Sequence, residues 1–156
     1  MRCGLAPGEA ATVARPVKLI APILALLAGL FAGGCGTATS TRKVVALDSF
    51  QRIFVERRLN DNQHLDELLV AELRRHGREA SSGPRTMMPE KVDAVLTYDA
   101  RWEWDFKTYL IEFTFELHTP HSKKKIADGR HYQPTIRTKT PEAVIQELMA
   151  SLFAAK

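Results

Sequence analysis

Three carboxylates and three histidines are the residues of this chain whose types and spacing could do chemistry. Asp99, Glu103 and Asp105 occupy odd positions of one stretch, with Arg101 among them. In a strand, successive odd positions share a side and stand about 6.5–7 Å apart for each step of two residues. Carboxyl groups about 6.5–9.5 Å apart can serve an inverting hydrolase. Such a pair also needs a cleft that raises one pKa. A flat, solvated strand face supplies none, and Arg101 pushes the values down. Glu112, Thr114 and Glu116 are predicted to share this face on the next strand. The expected result is a set of cross-strand ion pairs in water rather than an acidic metal or catalytic site. His118, His121 and His131 are close in sequence, but zinc needs three or four ligands converging at about 2 Å, and a fourth is missing. Two of the three also fall in or near a turn. The chain has no Ser-His-Asp order, no Gly-rich phosphate loop and no metalloprotease helix. We therefore expect no catalytic residue, no metal and no cofactor, and a protein that is not an enzyme.

The cysteines point to a different chemistry. Residues 1–18 carry Arg2, Arg15 and Lys18 against one acid, Glu9. Residues 19–32 are apolar apart from Pro22 and Gly29, and Gly33-Gly34-Cys35 closes the run. A basic start, an apolar run of about 7–15 residues and a small-residue exit describe a secretory signal. A membrane-spanning helix needs about 20 residues, so 19–32 reads as a segment that is cleaved rather than one that spans. Ala32-Gly33-Gly34-Cys35 resembles the lipobox of bacterial lipoproteins, with Ala32 where Leu is commonest. The resemblance implies that Cys35 is acylated, becomes the new N-terminus and holds the protein on a membrane. Two or more acyl chains give stable anchoring, at about 0.8 kcal/mol per buried CH₂. The remaining thiol, Cys3, leaves with the signal, so no disulfide, thiolate metal site or cysteine nucleophile is expected. The expected organisation is a signal peptide over 1–34, a lipidated cysteine and tether over 35–43, and one periplasmic domain over 44–156. Residues 36–156 hold 19 basic and 17 acidic residues, a net charge of +2. That is no electrostatic footprint for nucleic acid.

Periodicity predicts the elements that position these residues. Val44–Leu47 and Arg52–Val55 read as one bent strand or two short ones. Asn60-Asp61-Asn62 offers N-cap chemistry to a helix carrying Leu65, Leu68, Leu69 and Leu73, and Gly77 stops it. Ser81-Ser82-Gly83-Pro84 reads as a turn or loop. Ala94, Leu96, Tyr98, Ala100, Trp102 and Trp104 then alternate with polar neighbours. After a connection at Asp105–Thr108, Tyr109, Ile111, Phe113, Phe115 and Leu117 do the same. Period two in adjacent segments predicts an antiparallel hairpin with one buried face. Lys125–Gln133 reads as a further strand, with Ile126 and Tyr132 in the core. Thr140-Pro141-Glu142 opens a second helix with Val144, Ile145, Leu148, Met149 and Leu152 on its apolar stripe. The predicted fold is α+β, a mainly antiparallel sheet of four to five strands with two helices on one face, in the order β-α-(β)-β-β-β-α.

Trp102 and Trp104 fall on the apolar face, with Trp104 near the strand end and half exposed. A ring there, with Asp105, Arg101 and Glu103 beside it, is the candidate surface for a protein partner. The spacing Tyr98-x-x-x-Trp102-x-Trp104-Asp105 before Tyr109-Leu110 resembles a pattern in small α+β outer-membrane lipoproteins of bacteria. The layout is similar, more loosely, to curli-secretion-type lipoproteins and periplasmic activators of peptidoglycan synthases. These resemblances imply an accessory or assembly protein of the cell envelope, lipid-anchored and facing the periplasm, that works through contacts with another envelope protein. Gly36 after the cysteine, where enterobacterial sorting would read Asp, implies the outer membrane. The alternative is a binding module for a small ligand or glycan, held between the sheet and the loop at residues 78–91.

Overall fold

The long hairpin forms where the alternation placed it and organises everything else. In a computed structural model, which describes residues 36–134 and 139–154, β4 (Ala94–Asp105) and β5 (Lys107–His118) pair antiparallel along their whole length. The other elements are β1 (Ala38–Lys43), β2 (Arg52–Glu56), helix α1 (Leu65–Arg75), β3 (Glu79–Gly83), β6 (Lys125–Tyr132) and helix α2 (Pro141–Phe153), with a single 3₁₀ turn at Arg85–Met87. The fold is α+β as predicted, but the sheet has six strands, in the order β1-β6-β5-β4-β2-β3. It is mixed: β2 runs parallel to both β3 and β4, and the other pairs are antiparallel. Helix α1 packs on β2 and β3, while α2 packs on β1 and β6 and against α1. The core between helices and sheet runs from Leu47 to Leu152 in sequence and includes Leu65, Leu69, Leu73, Leu96, Phe113, Phe115, Ile145 and Leu148.

Four local expectations need correction. The tether predicted over 35–43 contains a strand, since Ala38–Lys43 pairs with β6. Val44–Leu47 is not a strand; only Leu47 of that run is buried. Ser81-Ser82-Gly83 belongs to β3 rather than to a turn. Tyr132 is half-buried on the solvent side and carries the Arg130 guanidinium 5.8 Å from its ring centroid; its neighbour His131 is the buried residue. Ile126 is in the core as predicted.

The hairpin itself changes phase. Arg101 pairs with Glu112, but Trp102 pairs with Leu110, so Ile111 is an extra residue on β5. Such a bulge sends every side chain beyond it to the opposite face. Leu110, predicted to face water, is buried, and Tyr109 and Ile111 are only partly covered. At the other end the pairing fits tightly. Gly129 lies opposite Phe115, whose ring covers it; a Cβ there would sit 2.8 Å from Phe115 Cζ and closer still to Cε1. No larger residue fits without moving the ring.

Candidate functional site

The solvent face of the sheet is a ladder of ion pairs. Glu112 accepts from Arg101 at 3.2 Å and from Arg130 at 2.7 Å, across three neighbouring strands. Lys125 reaches Glu116 at 2.6 Å, Arg42 reaches Asp128 at 2.9 Å, and Arg58 pairs with Asp99. The β5 carboxylates make the cross-strand pairs expected of this face, whereas on β4 Asp99 is held by Arg58 from the segment after β2. Glu103 and Asp105 are exposed beyond the ladder. Among the described residues, no group of three or more His, Cys, Asp or Glu could hold a metal ion. The three histidines do not converge. The ring of His118 contacts the carbonyl of Thr119, and His121 is exposed in the turn.

His131 is fully buried, and its environment is set by hydrogen bonds. Lys139 N donates to Gln133 Oε1 at 2.9 Å, and Gln133 Nε2 donates to the carbonyls of Leu110 and Lys139. With Gln133 Oε1 an acceptor, His131 Nε2 is the protonated nitrogen at 3.1 Å, and Nδ1 accepts from Thr39 Oγ1 at 2.7 Å. The network fastens β1 and the approach to α2 onto the middle of the sheet. Buried polar groups satisfied in this way are structural.

The predicted partner residues do not share one surface. Arg101, Glu103 and Asp105 lie on the solvent face, with Arg101 held by Glu112. Trp104 points the other way, and its exposure of 70 % exceeds the half expected. Its companion is Phe106, 93 % exposed at the apex, with the two ring centroids 6.4 Å apart. Phe106 takes φ = 58°, the left-handed region that bulky side chains avoid. Sequence reading placed Phe106 in a connection and gave it no role. The cue it passed over is an aromatic at a turn apex, where Gly or Asn is the ordinary choice.

Below the tip, on the helix side, the segment between β2 and α1 and the hairpin enclose a groove of about 270 Å³. Arg58, Asn60, Asn62, Gln63, Trp102 and Thr108 line it. Asp61 holds the segment in place. Its carboxylate accepts from Leu65 N at 2.8 Å, from Gln63 N at 3.0 Å and from the Tyr98 hydroxyl at 2.6 Å. The N-cap chemistry predicted at 60–62 is therefore supplied by Asp61, although the residue at the helix boundary is His64. Burial, and then the bond to Asp61, push the Tyr98 phenol well above its usual pKa. The shallower hollow beside residues 89–92, near the loop named in the sequence reading, is about 230 Å³.

A second acid is buried where α1 begins. Asp66 is 1 % exposed and accepts from Arg57 Nε at 2.7 Å. Desolvation is the largest single influence and raises its pKa. The Ser82 hydroxyl and Arg57 together outweigh it, so the carboxyl titrates below its ordinary value. A carboxyl with a depressed folded pKa contributes stability that is complete above its unfolded pKa and is lost as pH falls through the folded one. The melting midpoint of the wild-type domain should therefore drop on acidification below about pH 4. Arg57→Met removes two of the influences that hold the pKa down, so the folded pKa rises and the gap to wild type should narrow between about pH 7 and pH 3. Thermal melts across that range check this; a constant gap would mean that the pair does not tune Asp66.

No family model matches the chain, and no curated protein matches it. Solved structures do. The PelC dodecamer of Paraburkholderia phytofirmans superposes with a TM-score of 0.56 at 15 % identity, over 78 % of this chain and 100 % of that one. A substituted form of the same dodecamer, in another crystal form, gives 0.57 at 13 % identity over the same shares. A minor lipoprotein of Acinetobacter baumannii gives 0.36 at 16 % identity, over 67 % of this chain and 88 % of that one. The likeness to PelC is one of fold. It extends the α+β assignment to a whole chain of similar extent, and its identity is too low to transfer a site.

Proposed function

We propose that this chain is a lipid-anchored accessory protein of the bacterial envelope, acylated on Cys35, that works through contacts with another envelope protein and catalyses no reaction. What carries the reading is the contrast between the sheet face and the sheet edges. The face spends its charges on internal pairs. Among the described residues the edges β1 and β3 are each paired on one side only, and a single-sided strand is a ready template for another chain. The PelC neighbours are dodecamers, which supports a fold of this kind as an assembly module. The Gly36 that follows Cys35 favours the outer membrane, and no helix among the described residues is long and apolar enough to cross a membrane.

Two experiments test this reading. Cys35→Ser should abolish incorporation of a fatty-acid analogue and release of the mature lipoprotein to the membrane. If the serine variant still carries the label, the lipoprotein reading is wrong. Photo-crosslinkers placed at the exposed edge residues Ser40 and Ser81 should each give a discrete adduct in living cells, identifiable by mass spectrometry. Absence of an adduct from both edges would remove the support for a protein partner. A second reading, a module for a small ligand or glycan, rests on the groove. Asn60, Asn62 and Gln63 line it together with Trp102, and mixed apolar and polar linings are what such sites use.

A further inference from the structure

We propose that the end of the β4–β5 hairpin is a membrane-interface element, with Trp104 and Phe106 entering the headgroup region of the bilayer to which Cys35 is tethered. The inference rests on the lipid-anchor reading of Cys35 and adds a second, non-covalent contact. Strand register supplies the geometry. Ala38 pairs with Tyr132, Tyr132 with Glu112, and Glu112 with Arg101, so these four residues lie level across the sheet. The chain enters β1 from the end toward which the hairpin points. The hairpin runs on past that level from Arg101 to Asp105, about 13 Å at about 3.3 Å per residue. Cys35 stands three residues before Ala38, a reach of at most about 10 Å. A cysteine acylated at the bilayer surface therefore puts the tip at least about 3 Å beyond it, and deeper when the linker is less than fully extended. Interfacial elements bury their apolar side chains about 5–10 Å deep, so the two lengths match.

The residues at the tip suit that depth. Trp and Phe are at home in the headgroup region, where an aromatic body finds acyl chains and a polar edge finds water. Leu59 is fully exposed on the segment that follows β2. Because β2 runs parallel to β4, this segment heads toward the same end, but its neighbour Arg58 pairs with Asp99, so Leu59 stands below the tip and outside the proposed contact. The left-handed Phe106 is a second, independent sign. The turn would form more easily with Gly or Asn, so a bulky aromatic held there at 93 % exposure serves something outside the fold. The charges next to the rings are two acids, Glu103 and Asp105, and one base, Lys107. No basic patch faces the lipid, so binding should depend on the rings and be insensitive to salt.

The test uses the mature lipidated protein in phosphatidylethanolamine–phosphatidylglycerol vesicles with bromines on the upper acyl chain. Trp102→Phe leaves Trp104 as the reporter, and Trp104→Phe leaves Trp102; melts establish that both variants fold. Trp104 fluorescence should be quenched by roughly half and Trp102 fluorescence by much less, unchanged between low and high salt. Trp104 that lipid does not quench but aqueous acrylamide does would overturn the proposal. So would Trp104 shielded from both, which would mean that a protein covers the tip. Flotation reads the anchor separately. If Cys35 proves to carry no lipid, the anchor reading falls alone, and the tip is judged on residues 36–156, which contain the whole core. That chain should bind vesicles at least about tenfold more tightly than its Trp104→Ser/Phe106→Ser variant, since partition follows buried apolar area. Equal binding would overturn the proposal.

Discussion

Phe113→Ala will cost about 3–5 kcal/mol of folding free energy, as removal of a buried aromatic does when its cavity cannot close. Phe113 is fully buried at the centre of the sheet and stacks on Tyr98 with ring centroids 6.2 Å apart. Its partner across β4 is Ala100, too small to fill the gap, and its partner across β6 is His131, whose ring is fixed by Thr39 and Gln133. The loss therefore combines transfer, cavity and the aromatic pair, with little relaxation to offset it. Glu103→Ala, near the tip on the solvent face, is the control and should leave the denaturation midpoint where it was. Denaturant melts of residues 36–156 compare the two at constant slope. A Phe113→Ala cost below about 1.5 kcal/mol would place the centre of the core elsewhere.

Asp61→Ala should cost about 2–3 kcal/mol, from two separable losses. The first is the cap on α1, typically about 1 kcal/mol. The second is the Tyr98 hydroxyl, which sits on a side chain only 6 % exposed and would lose the acceptor that satisfies it, at about 1–2 kcal/mol. Tyr98→Phe removes the hydroxyl together with its need for a partner. In the Asp61→Ala background Tyr98→Phe should then be close to neutral, although alone it costs about 1 kcal/mol. A double-mutant cycle measures this coupling. Strict additivity would show that the tyrosine and the aspartate act independently, and that the groove wall is not held by their bond.

Both helices, the hairpin and the charged ladder were legible because each has a period that binary patterning records. Leu65, Leu69 and Leu73 repeat at helical spacing, and Phe113, Phe115 and Leu117 alternate as strand residues. What escaped has no such period. β1 turns Thr39, Thr41 and Lys43 to the helix side of the sheet, where they bond His131 of β6, Ser151 of α2 and the carbonyl of Ala154. A strand whose inner face is satisfied by hydrogen bonds rather than by apolar burial reads as a polar tether. The bulge at Ile111 was hidden for another reason. Leu110 and Ile111 are both apolar, so either phase of the alternation fits the sequence, and only the register with Trp102 decides between them. In the candidate site, Trp104 was recognised for its place near a strand end. Phe106 and the Asp61 clamp depend on backbone conformation and tertiary reach, which composition does not carry.

The placement of β1 has a mechanical consequence. β1 begins at the projecting end of the sheet, so a tether on that side can pull along the strand axis. Tension applied at Gly36 in that direction slides β1 lengthwise against β6 instead of peeling it away. All the bonds between Ala38–Lys43 and Ala127–Tyr132 then share the load, together with the side-chain ties from Thr41 and Lys43 to the end of α2. A pull at right angles would break the same ladder one rung at a time. The short edge strand thus behaves as a shear clamp, stiff toward a tether at its own end and weak toward force from the side.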